Sequence, residues 1–305
     1  MRHCFTFEGV LGIAALVLST LAVVANTVQA AEPRRIVSIG GALTETVFAL
    51  GMGEDVVGVD TTSTFPAATG PLPKVGYART LGAEAVLSLR PTRVLASEDA
   101  GPPETLQHLR TAGVDVRVIT VGDSPDAVSR MIGAVAETLD VPERGKTLQT
   151  CVADQFDRVR RRLRQSADRR VLFLLSTSGG DMLVSGTGTR ADAMITLAGG
   201  TNAVRGYRGY KPFSPEAAAT AQPDVLLMTT EGLKSAGGVD ALKRNIGLAA
   251  TPALQRLAVE YEDSLYLLGF GPRAPKAVYW LASRLHPGFD PAPLDLNACD
   301  GASSK

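Results

Sequence analysis

Beyond residue 34, short runs rich in β-branched residues alternate with stretches whose apolar positions recur every three or four residues. That alternation is the mark of βαβ units around parallel sheets. In the first half it predicts strands over 35–39, 56–60, 93–97 and 115–120, and helices over 43–50, 83–89 and 103–112. In the second half it predicts strands over 170–177, 224–230 and 265–269, and helices over 190–198, 215–221 and 275–285. Between the halves, Leu148, Cys151, Val152, Phe156, Val159 and Leu163 share one helical face, and Arg158, Arg160, Arg161, Arg162 and Arg164 mostly fill the other positions. Extended over 142–166, such a helix is ~36 Å long and can bridge two lobes. Its arginine run reads as a solvated face. The expected layout is a leader over 1–30, an α/β lobe over 31–141, the backbone helix over 142–166, a second α/β lobe over 167–290, and a loosely ordered tail over 291–305.

The halves echo one another. Ala83-Glu84-Ala85, Pro91 and Val94-Leu95 parallel Pro215-Glu216-Ala217, Pro223 and Val225-Leu226, with the glutamate seven positions before the proline in both. Each set reads as a short helix stopped by proline and followed by a strand. Matched carboxylates on two lobes form a pseudo-twofold pair, suited to a symmetric partner.

Composition narrows the class. The chain has 305 residues, 45% hydrophobic and 20% charged, with zero formal net charge, as for a globular protein with one or two cores. Without a basic excess, nucleic acid is not an expected partner. The start places Arg2 before an apolar run from Val10 to Ala25, then Val28-Gln29-Ala30 before Ala31. This is the layout of a cleavable secretory signal, which leaves a soluble mature chain in the periplasm; a membrane anchor is the alternative. Export leaves Cys151 and Cys299, able to pair in an oxidising compartment, although the sequence does not show that they meet.

The segment Arg35-Ile-Val-Ser-Ile-Gly-Gly-Ala-Leu-Thr-Glu-Thr-Val-Phe-Ala-Leu-Gly51 resembles the opening of the helical-backbone class of ABC substrate-binding proteins, which carry cobalamin, ferric siderophores and haem. The fold this implies is α/β, with two Rossmann-like lobes joined by a single long rigid α-helix, the class III periplasmic substrate-binding arrangement. Lys74-Val-Gly-Tyr77-Ala-Arg79-Thr-Leu-Gly-Ala-Glu84-Ala-Val-Leu-Ser-Leu89 is similar to the haem-binding branch. So is Gly186-Thr-Gly-Thr-Arg-Ala-Asp-Ala-Met-Ile-Thr-Leu-Ala-Gly-Gly200, followed by Gly209-Tyr-Lys-Pro-Phe-Ser-Pro-Glu216.

The resemblance implies that Tyr77 is the axial ligand to ferric haem. A phenolate is a hard anionic donor suited to Fe(III), and tyrosine ligation of haem is an established mode. Arg79, two positions on, is placed to favour the charged form of the phenol. The ordinary alternative for Tyr77 is a loop tyrosine with its hydroxyl on a backbone carbonyl. Some relatives add a second-lobe histidine, but the mature chain carries only His108 and His286, both in helix-like runs and expected at the surface, so five-coordinate iron is expected. The second-lobe ligand contacts expected are Tyr207, Tyr210 and Lys211, on a Gly-rich loop that could equally be plain surface. Glu84 and Glu216 match positions that dock on arginines of an ABC-transporter permease dimer with its ATPase. An outer-membrane haem receptor is the expected upstream source. A ferric siderophore or cobalamin carrier on the same scaffold is the alternative.

An enzyme is the rival class. Gly186-Thr-Gly-Thr-Arg-Ala191 imitates a dinucleotide fingerprint, but Tyr207 and Arg208 stand where its acidic residue belongs. The sequence has no G-x-S-x-G elbow, P-loop or H-E-x-x-H pair, and binding rather than catalysis is expected.

Overall fold

The computed structural model describes residues 34–163, 168–176, 182–212 and 214–289, with Met1 and Cys299. The expected leader beyond Met1 and the tail apart from Cys299 lie outside the described residues. The first lobe runs β1 (Ile36–Ile39), α1 (Gly41–Ala49), β2 (Val56–Val59), α2 (Ala83–Leu87), β3 (Arg93–Ser97), α3 (Pro103–Thr111), β4 (Asp115–Ile119) and α4 (Pro125–Thr138). Its four strands are parallel, in the order β2-β1-β3-β4. All four residues of central β1 are buried, as expected for a parallel strand covered on both faces.

Helix α5 (Pro142–Arg162) then crosses to the second lobe. It starts on proline at its first turn, where the missing N–H costs nothing. It ends in Arg160, Arg161 and Arg162, a favourable charge for the negative end of the helix dipole.

The second lobe contains β5 (Arg170–Ser176), β6 (Met182–Ser185), α6 (Arg190–Leu197), β7 (Thr201–Asn202), β8 (Tyr210–Pro212), α7 (Pro215–Ala221) and β9 (Val225–Thr229). It continues through α8 (Thr230–Ser235), α9 (Gly238–Arg244), α10 (Ile246–Ala249), α11 (Pro252–Gln255), β10 (Val259–Glu262), α12 (Ser264–Leu268) and α13 (Ala274–Leu285). Its sheet has the order β10-β9-β5-β6-β8, with β7 also pairing β5. Strands β7, β5, β9 and β10 repeat the parallel path of β2, β1, β3 and β4. The sequence echo therefore falls at equivalent stations: Glu84 precedes β3, which pairs β1, and Glu216 precedes β9, which pairs β5.

One core cluster spans both lobes. Leu148, Val152, Phe156 and Val159 of α5 pack with Met131 and Ile132 of α4 and with Val278 and Leu281 of α13. Each lobe also has its own cluster, around Val37, Ile39 and Val94 in the first and Leu172, Leu226 and Met228 in the second. Cys151 on α5 is disulfide-bonded to Cys299, with Cα atoms 5.6 Å apart.

Two expectations are corrected. Residues 265–269 are not a strand: Ser264–Leu268 is helical, started by an Asp263 side chain that accepts from Tyr266 N. A short apolar run does not distinguish strand from buried helix by period alone. The fourth parallel strand is Val259–Glu262, whose sequence VEYE hides it among charges at the sheet edge. His286 is not at the surface: it is 5% exposed, with Nε2 3.0 Å from Ala198 O at the end of α6. His108 is exposed on α3.

Candidate functional site

The loop leaving β2 is held in shape by hydrogen bonds. Asp60 is wholly buried; its Oδ1 accepts from Gly40 N at 2.9 Å and Ser63 Oγ at 2.6 Å, and its Oδ2 accepts from Thr62 N at 2.9 Å. The carboxylate thus ties the β1–α1 turn to the β2 exit. The loop then returns beside the strand, with Val75 N donating to Val59 O and Thr61 N to Gly76 O. Lys74 Nζ spans the inside of the loop to Ser63 O and Thr69 O. Gly76 turns the chain at φ +108°, a conformation that suits glycine, and delivers Tyr77.

Tyr77 is 43% exposed. Arg79 Nη1 donates to its hydroxyl at 3.3 Å, so the phenol meets a cation rather than the backbone carbonyl of the ordinary alternative. Arg79 Nη2 lies 3.2 Å from Asp99 Oδ2. The hydrogen bond to Asp99 holds the guanidinium above its ordinary pKa against an opposing effect of burial. Asp99 lies in the loop after β3, and no sequence signal pointed to it.

A cavity of ≈ 410 Å³ opens between the lobes, lined by Thr64, Phe65, Glu262, Asp263, Tyr266 and Arg273 among others. Tyr77 does not line it but follows Phe65 on the same β2 exit loop. Arg273 Nε sits 3.0 Å from Glu45 Oε2, and Arg273 N donates to Glu45 Oε1 at 2.7 Å. The guanidinium also lies 3.4 Å from the Phe65 ring centroid and 5.2 Å from that of Tyr266. Burial raises the Glu45 pKa, and Arg273 pulls it partly back. Burial pushes Tyr266 up to about 12.

A second contact joins the lobes near the end of β4. Arg190 at the start of α6 donates from Nη2 to Val121 O at 2.8 Å and lies 3.8 Å from Glu98.

Of the second-lobe residues named from sequence, Tyr207 lies on the loop after β7, the counterpart of the loop that carries Tyr77, whereas Tyr210 and Lys211 are not on a loop but in β8, paired with Ser185 and Val184 of β6. The Tyr207 hydroxyl donates to Val184 O at 3.1 Å, and Lys211 Nζ lies 4.6 Å from its ring centroid. Tyr210 packs edge-on against Phe173, and burial raises its pKa against hydrogen bonds from Thr189 and Ser185. Among the described residues, no hydrogen bond, ion pair or ring contact joins this set to Tyr77 and Arg79.

The glycines that imitated a dinucleotide fingerprint have another use. A Cβ on Gly186 would stand 2.4 Å from Tyr207 O and 2.6 Å from its ring, so glycine lets the Tyr207 loop close on β6. Thr189 caps α6 by accepting from Asp192 N.

Glu84 and Glu216 are both exposed, each the second residue of its helix. Ser214 Oγ donates to Glu216 at 2.6 Å and holds its carboxyl below the ordinary pKa. Among the described residues, no cluster of His, Cys, Asp and Glu could hold a bare metal ion, and no helix is long and apolar enough to cross a membrane.

The chain resembles solved structures along most of its length. It is 45% identical to a periplasmic heme-binding protein, RhuT, from Roseiflexus sp. RS-1, with a TM-score of 0.81 over 83% of this chain and 97% of that one. It is also 45% identical to the periplasmic heme-binding protein BhuT in complex with two hemes, with a TM-score of 0.79 over 83% and 97%. Among curated proteins, it is 26% identical to the uncharacterized ABC transporter substrate-binding lipoprotein YvrC of Bacillus subtilis, over 84% of this chain and 81% of that protein. It is 24% identical to a vitamin B12-binding protein of Vibrio parahaemolyticus, over 68% and 76%. Residues 36–262 match the periplasmic binding protein family, and the chain belongs to that family.

Proposed function

We propose that this protein binds ferric haem in the cleft between its lobes through an axial Tyr77 and passes it to an ABC-transporter permease. One observation carries the reading: an exposed phenol on a braced loop, its oxygen 3.3 Å from the Arg79 guanidinium. Free tyrosine titrates near ~10, so iron displaces the proton on binding, and a neighbouring cation favours the anion that remains. The 45% identity to heme-binding relatives supports the choice of cargo. Porphyrin supplies four donors to the iron, and one protein oxygen completes a five-coordinate site. His108 is exposed on α3 and His286 is committed to Ala198 O, so neither offers a sixth donor.

Export follows a cleavable leader over residues 1–30, and Glu84 and Glu216 meet the two permease subunits. Tyr207, Tyr210 and Lys211 are the second-lobe contacts, with the exposed Lys211 the cation for a propionate. The likeness to a vitamin B12-binding protein makes cobalamin the competing cargo on this scaffold.

Titrating hemin, a ferric siderophore and cobalamin into the purified protein and its Tyr77→Phe variant separates these readings. Hemin should give a high-spin, five-coordinate ferric spectrum, and the substitution should weaken hemin alone. A protein that stays colourless with hemin, or that binds cobalamin instead, overturns the proposal.

A further inference from the structure

We propose that Asp99 is a positioning residue for the cargo's iron ligand, its carboxylate fixing the Arg79 guanidinium against the Tyr77 oxygen. The inference rests on the haem reading above and deepens it.

The backbone brings the three side chains together. Leu81 N donates to Gly101 O at 2.8 Å and Gly101 N donates to Ala78 O at 2.9 Å, so the segment carrying Tyr77 and Arg79 is latched to the loop carrying Asp99. The two Nη atoms of one planar guanidinium divide the work, Nη1 to Tyr77 at 3.3 Å and Nη2 to Asp99 at 3.2 Å. The guanidinium fork is rigid, so fixing one arm aims the other. The side chains of Arg79 and Asp99 are 61% and 48% exposed, so packing alone does not hold the arginine. A long side chain has much rotamer freedom to lose, and the carboxylate is the group that removes it.

The same geometry sets a direction for the effect. In the open protein, an exposed ion pair contributes little. Once a porphyrin covers the site and excludes water, the charge-assisted contact strengthens. A guanidinium at the phenolate oxygen draws electron density from it and so alters the donation that iron receives. Without Asp99 the guanidinium swings free, and the phenolate behaves as it does without Arg79.

The test uses purified wild type, Tyr77→Phe, Asp99→Asn, Asp99→Glu, Arg79→Ala and the Arg79→Ala/Asp99→Asn double variant. Two quantities are followed: hemin release to excess apomyoglobin, and the phenolate-to-iron charge-transfer band. Asp99→Asn should release hemin about five-fold faster. Its band should shift in the same direction as that of Arg79→Ala, and Asp99→Glu should restore most of both. Adding Asp99→Asn to Arg79→Ala should change nothing further, since contacting residues are non-additive. An unchanged rate and band in Asp99→Asn, or effects that multiply in the double variant, overturn the role of Asp99 alone. Absence of hemin binding by wild type, or undiminished binding by Tyr77→Phe, overturns the haem reading as well.

Discussion

Arg273 reaches across from the second lobe and places its Nε 3.0 Å from Oε2 of Glu45, a residue of α1 that is only 4% exposed. The pair lies beside the interlobe cavity, and Arg190 makes a second crossing to Val121 O. Together with the core shared through α5, these contacts fix how the lobes sit.

Removing one partner of the buried pair should be costly. Arg273→Ala leaves Glu45 buried without its cation, and the expected loss is about 3–5 kcal/mol in urea denaturation. Replacing both partners with apolar residues, Glu45→Leu with Arg273→Met, should recover most of that loss. Equal destabilisation by the single and double variants would show that the contact is not what matters there.

Tyr266 predicts an alkaline limit to stability. Burial raises its pKa to about 12, so the folded chain holds the proton that the unfolded chain releases near ~10. Its contribution is complete below pH ~10 and is lost as pH rises toward 12. Denaturation midpoints measured from pH 9 to 11.5 should fall more steeply for wild type than for Tyr266→Phe. Parallel curves would contradict this.

Reversing charge at both Glu84 and Glu216 should abolish haem uptake in cells while leaving hemin affinity of the purified protein within about two-fold, because neither carboxylate is near Tyr77 in the hydrogen-bond network. A matching loss of affinity would refute a docking role.

The Cys151–Cys299 bond closes a separation of 148 residues. The chain-entropy view gives such a loop about 4–5 kcal/mol of stabilisation, before any compensation in the unfolded state. Cys299→Ser should lower the denaturation midpoint, and reductant should bring wild type to the same value without further effect on the variant.

Most of the frame was legible because parallel strands buried on both faces announce themselves. The predicted strand at 93–97 coincides with Arg93–Ser97, and the helix at 215–221 with Pro215–Ala221. The helix expected over 142–166 runs over Pro142–Arg162. The amphipathic helix Pro125–Thr138 went unassigned despite a Ser124 cap and a proline in its first turn, signals that were present. The short helices between Thr230 and Gln255 escaped because each is under eight residues, too short to display a helical period.

The site divides the same way. The run from Lys74 to Leu89 put Tyr77 and Arg79 forward only through its likeness to the haem-binding branch, and the two stand close enough in sequence to be named together. Asp99, twenty positions from Arg79, and Glu45 with Arg273, 228 positions apart, become partners only when loops fold against one another. A lone charge in the apolar run of α1 was the one hint that Glu45 is buried against a cation.

The loops after β2 and β7 occupy matching places in the two halves, while Glu84 and Glu216 stand apart from them on the helices that follow. On the proposed reading, recognition of cargo and recognition of the transporter fall in separate stretches of chain on one repeated frame. On that reading, changing these two loops alters what is carried without disturbing delivery.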